Sequence, residues 1–170
     1  VNVDVVEIDP EVVRLADAYF SVRTGGRVNI VTADGLEFIA DAEKRYDAIY
    51  MDAFLKPSVE TDGTGSPLAL RTQQFYKQLQ EKLKPGGVVL FNLNPHPELG
   101  ADVAAISEAF PQTYVFPLSL YGGAVVAGSI EAERVDPREL VRRGEALGVP
   151  TPANRGLWVM VRLAEGRPAT

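Results

Sequence analysis

The sequence predicts an α/β domain with a mostly parallel sheet, and three observations carry that reading. Short apolar runs alternate with stretches of helical periodicity, as repeated βαβ units require. Three successive runs each end in a carboxylate, at Glu7, Asp34 and Asp52. The chain of 170 residues is 46% hydrophobic and 24% charged, enough apolar material for one self-supporting core. A single domain over residues 1–170 is expected.

The first strand is read over 3–8. Asp9, Pro10 and Glu11 then supply an N-cap, a proline for the first helical position and an acid for the first turn. Val12, Leu15, Ala16, Tyr19 and Phe20 recur at helical spacing and predict a buried stripe. After Gly25 and Gly26 a second strand is read over 28–33. A short helix follows from about Leu36, with Phe38 and Ile39 inward, and a third strand over 46–51. Residues 53–67 form the longest irregular stretch, rich in Pro, Gly, Ser and Thr, of a length usually kept for function.

A helix over 70–83 with Phe75, Leu79 and Leu83 on one face comes next. Lys84, Pro85, Gly86 and Gly87 read as a turn before a fourth strand over 88–93. Residues 101–110 read as helix. Strands over 113–118 and 124–130, joined through Tyr121, Gly122 and Gly123, predict an antiparallel closing pair. A capped helix over 136–147 and a last strand over 157–163 complete the reading. The chain opens on Val1 inside an apparent strand, so a preceding part of a longer protein is expected.

Composition narrows the chemistry. No cysteine and one histidine exclude a cysteine-based zinc site or a disulfide framework, and no metal is expected. A net charge of −6 disfavours a nucleic-acid partner. No apolar run approaches the 18 residues of a membrane span. No signal peptide is apparent, and a cytoplasmic location is expected. No glycine-rich phosphate loop of the P-loop or dinucleotide type is present.

In open parallel sheets, ligands occupy the crevice beyond the carboxyl ends of the strands, so Glu7, Asp34 and Asp52 are expected around one pocket. Glu7 alone is a strand-end residue facing water. With Asp9 capping the helix, it has no structural role, and it stands where nucleotide-binding folds place an acid on ribose hydroxyls. Asp34 caps the short helix, and such an acid also accepts from an adenine amine while Gly35 lets the base lie near backbone. Asp52 ends an apolar strand and opens the long loop, where a substrate enters. His96, between two prolines, is read as exposed, and Trp158 as core or interface.

The phrases VEIDPEVVRLADAYF, VTADGLEFI, YDAIYMDAF and LRTQQFYKQLQEKLKPGGVVLFNL, in this order and spacing, resemble the spermidine synthase (polyamine aminopropyltransferase) family. The likeness extends through PLSLYGGAVVAGS, roughly residues 1–130. It implies a Rossmann-like, class I methyltransferase-like fold: a mostly parallel sheet with helices on both faces and one antiparallel strand near the end. The family's first strand, glycine loop and N-terminal hairpin domain are absent from the chain. The resemblance further implies decarboxylated S-adenosylmethionine or S-adenosylmethionine as co-substrate, a small amine such as putrescine as acceptor, and a homodimer. By position, Glu7 takes the ribose, Asp34 with Gly35 takes the adenine, and Ile8 belongs to the same cofactor site. Asp52 lines the same pocket and deprotonates the attacking amine. The family carries a second acid three residues after the first; here Asp52-Ala53-Phe54 is followed by Leu55, leaving Glu60 and Asp62 as loop acids in its place. A small-molecule methyltransferase and a non-catalytic homologue that binds or oligomerises remain open alternatives.

Overall fold

The structure is a computed structural model that describes residues 1–118, 120 and 122–132. Val1–Glu131 form one compact unit. The expected helix over 136–147, the strand over 157–163, Trp158 and the domain's extent to residue 170 lie outside the described residues.

The element order is β1 (Val3–Glu7), α1 (Pro10–Phe20), β2 (Val28–Thr32), α2 (Gly35–Asp41) and β3 (Tyr46–Met51), then α3 (Gln73–Glu81), β4 (Leu83–Leu93), α4 (Leu99–Ala109), β5 (Gln112–Leu118) and β6 (Gly123–Ser129). β1 and β2 pair in parallel as a two-stranded sheet. The other strands form a second sheet in the order β3-β4-β6-β5. β3 and β4 are parallel, and β6 is antiparallel to both its neighbours, so β6 alone is inverted, as the sequence predicts. Among the described residues β1 and β3 do not pair with each other, and each has a strand partner on one side.

Local chemistry explains most element ends. Asp9 caps α1, accepting from the Glu11 N–H at 2.8 Å, and Pro10 occupies the first helical position, where its missing N–H costs nothing. Asp34 caps α2 and Thr72 caps α3 in the same manner. Thr72 also corrects the single helix expected over 70–83: Leu68–Arg71 is a separate 3-10 turn, and α3 starts behind the threonine.

The Lys84–Gly87 turn is corrected as well, because it is absorbed into β4. Leu83 already pairs with Tyr46; β3 then advances to Ala48 while β4 advances to Val88, so the intervening residues form a bulge. Gly86 sits at φ 76 within it, a conformation only glycine adopts without strain.

The core lies between the four-stranded sheet and helices α3 and α4. Phe75, Tyr76, Leu79, Val89, Phe91 and Ile106 are among its buried members, and Ile39 of α2 joins them. Phe91 packs edge-on against Tyr76 (5.4 Å between centroids) and Phe110 (5.8 Å), the geometry that aromatic quadrupoles favour. Gln73 and Gln80 of α3 donate to the Ala105 and Ala109 carbonyls and tie the two helices together.

The buried stripe expected on α1 is not buried. Tyr19 and Phe20 are 75% and 76% exposed, Val12 and Leu15 are also exposed, and α1 contributes no buried residue. Among the described residues α1 packs on β1 and β2. The two sheets are joined through α2, which packs on β1 and α3. Lys82 donates to the Ala40 and Ala42 carbonyls at the end of α2, and Lys44 pairs with Asp4 of β1 at 2.5 Å. No helix among the described residues is long and apolar enough to cross a membrane.

Candidate active site

Glu7 and Asp34 stand together at the carboxyl edge of the β1–β2 sheet. Glu7 pairs with Thr32, and its carbonyl accepts from the Ala33 N–H at 3.1 Å, one residue before Asp34. Asp52 follows β3, at the carboxyl edge of the other sheet. All three therefore end strands, as predicted, yet the carboxylates divide between two sheets.

Each carboxylate is anchored by one oxygen. Glu7 Oε1 accepts from the Asp9 N–H at 2.9 Å. This corrects the expectation that Glu7 has no structural role, because it braces the turn that Asp9 needs in order to cap α1. Asp34 Oδ1 accepts from the Leu36 N–H at 2.7 Å, and Asp52 Oδ1 from Asn92 Nδ2 at 2.8 Å. Among the described residues the second oxygen of each acid is left to accept from a ligand. Ile8 is exposed just beyond Glu7, and Gly35 has open space where a Cβ would stand. That is the clearance a flat base needs against backbone.

Asp52 is exposed. Its orientation comes from Asn92 on the adjacent β4, a residue that the sequence pattern did not single out. The signal was the parallel pairing itself: Met51 registers with Phe91, so Asp52 and Asn92 follow at the same level.

A small crevice, open to solvent, lies beside this pair. Met51, Leu70, Tyr76, Phe91 and Leu93 give it apolar walls; Ala53, Ser66, Asn92 and Arg71 complete the lining. None of the lining residues comes from β1 or β2.

The 53–67 loop is tied down by charge. Asp62 Oδ1 accepts from the Thr64 and Ser66 N–H groups and the Thr64 hydroxyl, while Oδ2 accepts from Arg71 at 2.8 Å. Arg71 also pairs with Asp102, which in turn meets His96 Nε2 at 2.7 Å. The His96 side chain is only 8% exposed, which corrects its reading as a surface residue. Burial works against the charge on Asp62, but the Thr64, Ser66 and Arg71 donors outweigh it and hold the carboxyl below its usual range. Gly65, at φ 88, closes the loop where its Cα meets the Leu55 carbonyl so tightly that no Cβ fits. Among the described residues no group of three His, Cys, Asp or Glu side chains can hold a metal ion.

The spermine/spermidine synthase domain matches residues 1–121. A polyamine aminopropyltransferase of Clostridium beijerinckii is 36% identical over 122 residues, covering 69% of this chain and 40% of its own. One of Moorella thermoacetica is 30% identical, covering 82% of this chain and 50% of its own. The chain thus spans half or less of the length of these curated relatives. Among solved structures, human methyltransferase-like protein 13 in complex with SAH superposes with a TM-score of 0.73 at 27% identity, over 86% of this chain and 69% of that one. A spermidine synthase bound to the transition-state analogue AdoDATO gives 0.63 at 24% identity, over 81% and 50%. The fold is therefore the class I methyltransferase-like Rossmann fold, and the chain belongs to the spermine/spermidine synthase domain family.

Proposed function

We propose that this chain supplies the nucleoside and amine sites of an aminopropyltransferase, which moves the aminopropyl group of decarboxylated S-adenosylmethionine to a small amine. The observation that carries the reading is Asp52: an exposed carboxylate aimed by Asn92, with one oxygen open, beside a crevice lined by Met51, Ser66, Arg71 and Asn92. In this reading Glu7 accepts from the ribose hydroxyls, with Ile8 against the sugar, and Asp34 accepts from the adenine amine above Gly35. Charged hydrogen bonds of this kind contribute roughly 1.5–3 kcal/mol each.

The chemistry needs a neutral amine. Alkylammonium groups have a pKa near that of lysine, about 10.4, so at neutral pH a base must take one proton. Asp52 takes it. The amine lone pair then attacks the methylene carbon next to the sulfonium, a C–N bond forms, the C–S bond breaks, and methylthioadenosine leaves uncharged.

A second reading, S-adenosylmethionine-dependent methyl transfer to a small molecule, draws support from the likeness to methyltransferase-like protein 13, solved with SAH. The two separate on the nucleoside product. The whole protein incubated with decarboxylated S-adenosylmethionine and an amine should release methylthioadenosine and the aminopropylated amine. Release of S-adenosylhomocysteine from S-adenosylmethionine, with no methylthioadenosine from the decarboxylated donor, would replace the first reading with the second.

A further inference from the structure

We propose that Arg71 is a positioning residue of the reaction: by clasping the 53–67 loop it fixes the backbone that follows Asp52, and so sets that carboxylate for proton removal. This deepens the aminopropyltransferase reading and rests on it. Asp52 is held from two sides. On one side β3 delivers it, and Asn92 Nδ2 donates to its Oδ1 at 2.8 Å. On the other the chain runs directly into the loop, so the backbone beyond Asp52 goes where the loop goes.

A short chain of contacts carries the position of Arg71 to that backbone. Arg71 Nη1 donates to Asp62 Oδ2 at 2.8 Å. Asp62 Oδ1 gathers the Thr64 and Ser66 N–H groups at 2.8 and 2.9 Å, the residues on either side of Gly65. The Gly65 carbonyl accepts from the Leu55 N–H at 2.8 Å, and Gly65 lies too close to the Leu55 carbonyl for any Cβ. Leu55 belongs to the segment Asp52-Ala53-Phe54-Leu55, so the clasp reaches Asp52 within one turn of chain. The far end of the clasp is anchored in the packed half. Arg71 closes the 3-10 turn Leu68–Arg71, directly before the Thr72 cap of α3 and the buried Phe75 and Tyr76. Its Nη2 pairs with Asp102 in the first turn of α4. The side chains of Arg71, Asp62 and Asp102 are 15%, 9% and 14% exposed, and pairs so sheltered are screened far less than surface ones. A guanidinium suits this place because its planar fork offers separate N–H groups to two carboxylates at once.

A double-mutant cycle on the whole protein tests this, with decarboxylated S-adenosylmethionine as donor and putrescine, or another small amine that the wild type accepts, as acceptor. Arg71→Gln should lower kcat about ten- to a hundred-fold, the scale of loss that a misplacement of roughly 1 Å brings, while calorimetric affinity for methylthioadenosine holds. In the Asp52→Asn background the same substitution should change kcat by less than about twofold, because the group it positions is gone. Equal losses in the two backgrounds, or no loss in either, overturn the inference and leave the aminopropyltransferase reading intact. Arg71 would then act on folding or on the substrate directly, not through Asp52. Should Arg71→Gln fail to fold, Asp62→Asn breaks the same chain of contacts from the loop side. Its effect on kcat must vanish in the Asp52→Asn background in the same way, and an additive loss there overturns the inference equally. A wild type that releases no methylthioadenosine from the decarboxylated donor with any small amine defeats the reading itself, and the inference with it.

Discussion

Residues 1–41 and residues 46–129 repeat the same alternation of strand and helix, but they bury it unequally. Among residues 1–50, Ile39 is the one buried side chain. The second region buries Phe75, Leu79, Val89, Phe91, Ile106 and Val126 in one cluster. Helix α1 carries an apolar face just as α3 does, yet α1 covers two strands and α3 packs over a sheet of four. Pattern alone does not bury a helix; a surface must meet it. The candidate site straddles this contrast. Glu7 and Asp34, assigned to the nucleoside, stand on the thin sheet, and Asp52, assigned to the chemistry, stands on the well-packed one. On the proposed reading, the better-packed sheet supports the group whose placement governs the reaction.

The largest expected effect tests that division. Asp52→Asn preserves shape and leaves the packed sheet untouched, so the melting temperature and nucleoside affinity should hold. Turnover should fall by roughly a hundred-fold to ten-thousand-fold, or about 3–5 kcal/mol of barrier. The deficit should shrink as pH rises towards the amine's own pKa, because solution then supplies the neutral nucleophile. An active Asn variant with a flat pH profile rejects Asp52 as the base.

The packing contrast is tested by stability. Phe91→Ala opens a cavity among Tyr76 and Phe110 and should cost about 3–5 kcal/mol in urea unfolding. Leu15→Ala, on the exposed face of α1, should cost less than about 1 kcal/mol. Equal costs would mean that α1 is covered in solution.

This contrast marks how far the sequence could be read. Strand positions, the β6 inversion and the caps at Asp9 and Asp34 were legible because each depends on neighbours a few residues away. So was the placement of Glu7, Asp34 and Asp52 at strand ends, which follows from periodicity. The exposure of α1 was not legible, since Val12, Leu15, Tyr19 and Phe20 show the same spacing whether or not a surface meets them. The engagement of Asp62 by Arg71, and of Asp102 by Arg71 and His96, was hidden for another reason. Those partners lie 9, 31 and 6 residues apart in sequence, and no local rule pairs them.

A smaller effect concerns the thin half. Glu7→Gln puts an amide donor against ribose donors and should weaken methylthioadenosine binding by about ten-fold, or about 1.4 kcal/mol. Because β1 and β2 bury so little, their amides should exchange faster than those of β4 and β6 in the free protein, and slow when nucleoside binds. Unchanged affinity in the Gln variant removes Glu7 from the site. Equal protection of both sheets without ligand contradicts the contrast itself.

The smallest expected effect lies in acid, at the loop that charge rather than packing holds to the thick half. Asp62 has a carboxyl pKa below its ordinary value, because the Thr64, Ser66 and Arg71 donors overcome its burial. The sign follows directly. At any pH above the unfolded value, near 3.9, both states are ionised and the whole contribution to stability is present. As pH falls below that value the unfolded state binds the proton first, and the contribution fades until the folded carboxyl is protonated too. Asp62→Asn cannot titrate and leaves Arg71 with Asp102 alone, so the variant should be less stable than wild type at neutral pH. The gap should close below about pH 4, where the wild type loses what the variant never had. Urea midpoints of the two proteins between neutral pH and about pH 3 measure this directly. A gap that stays constant over that range would show that Asp62 acts through loop geometry alone, with its ion pair to Arg71 contributing nothing to stability.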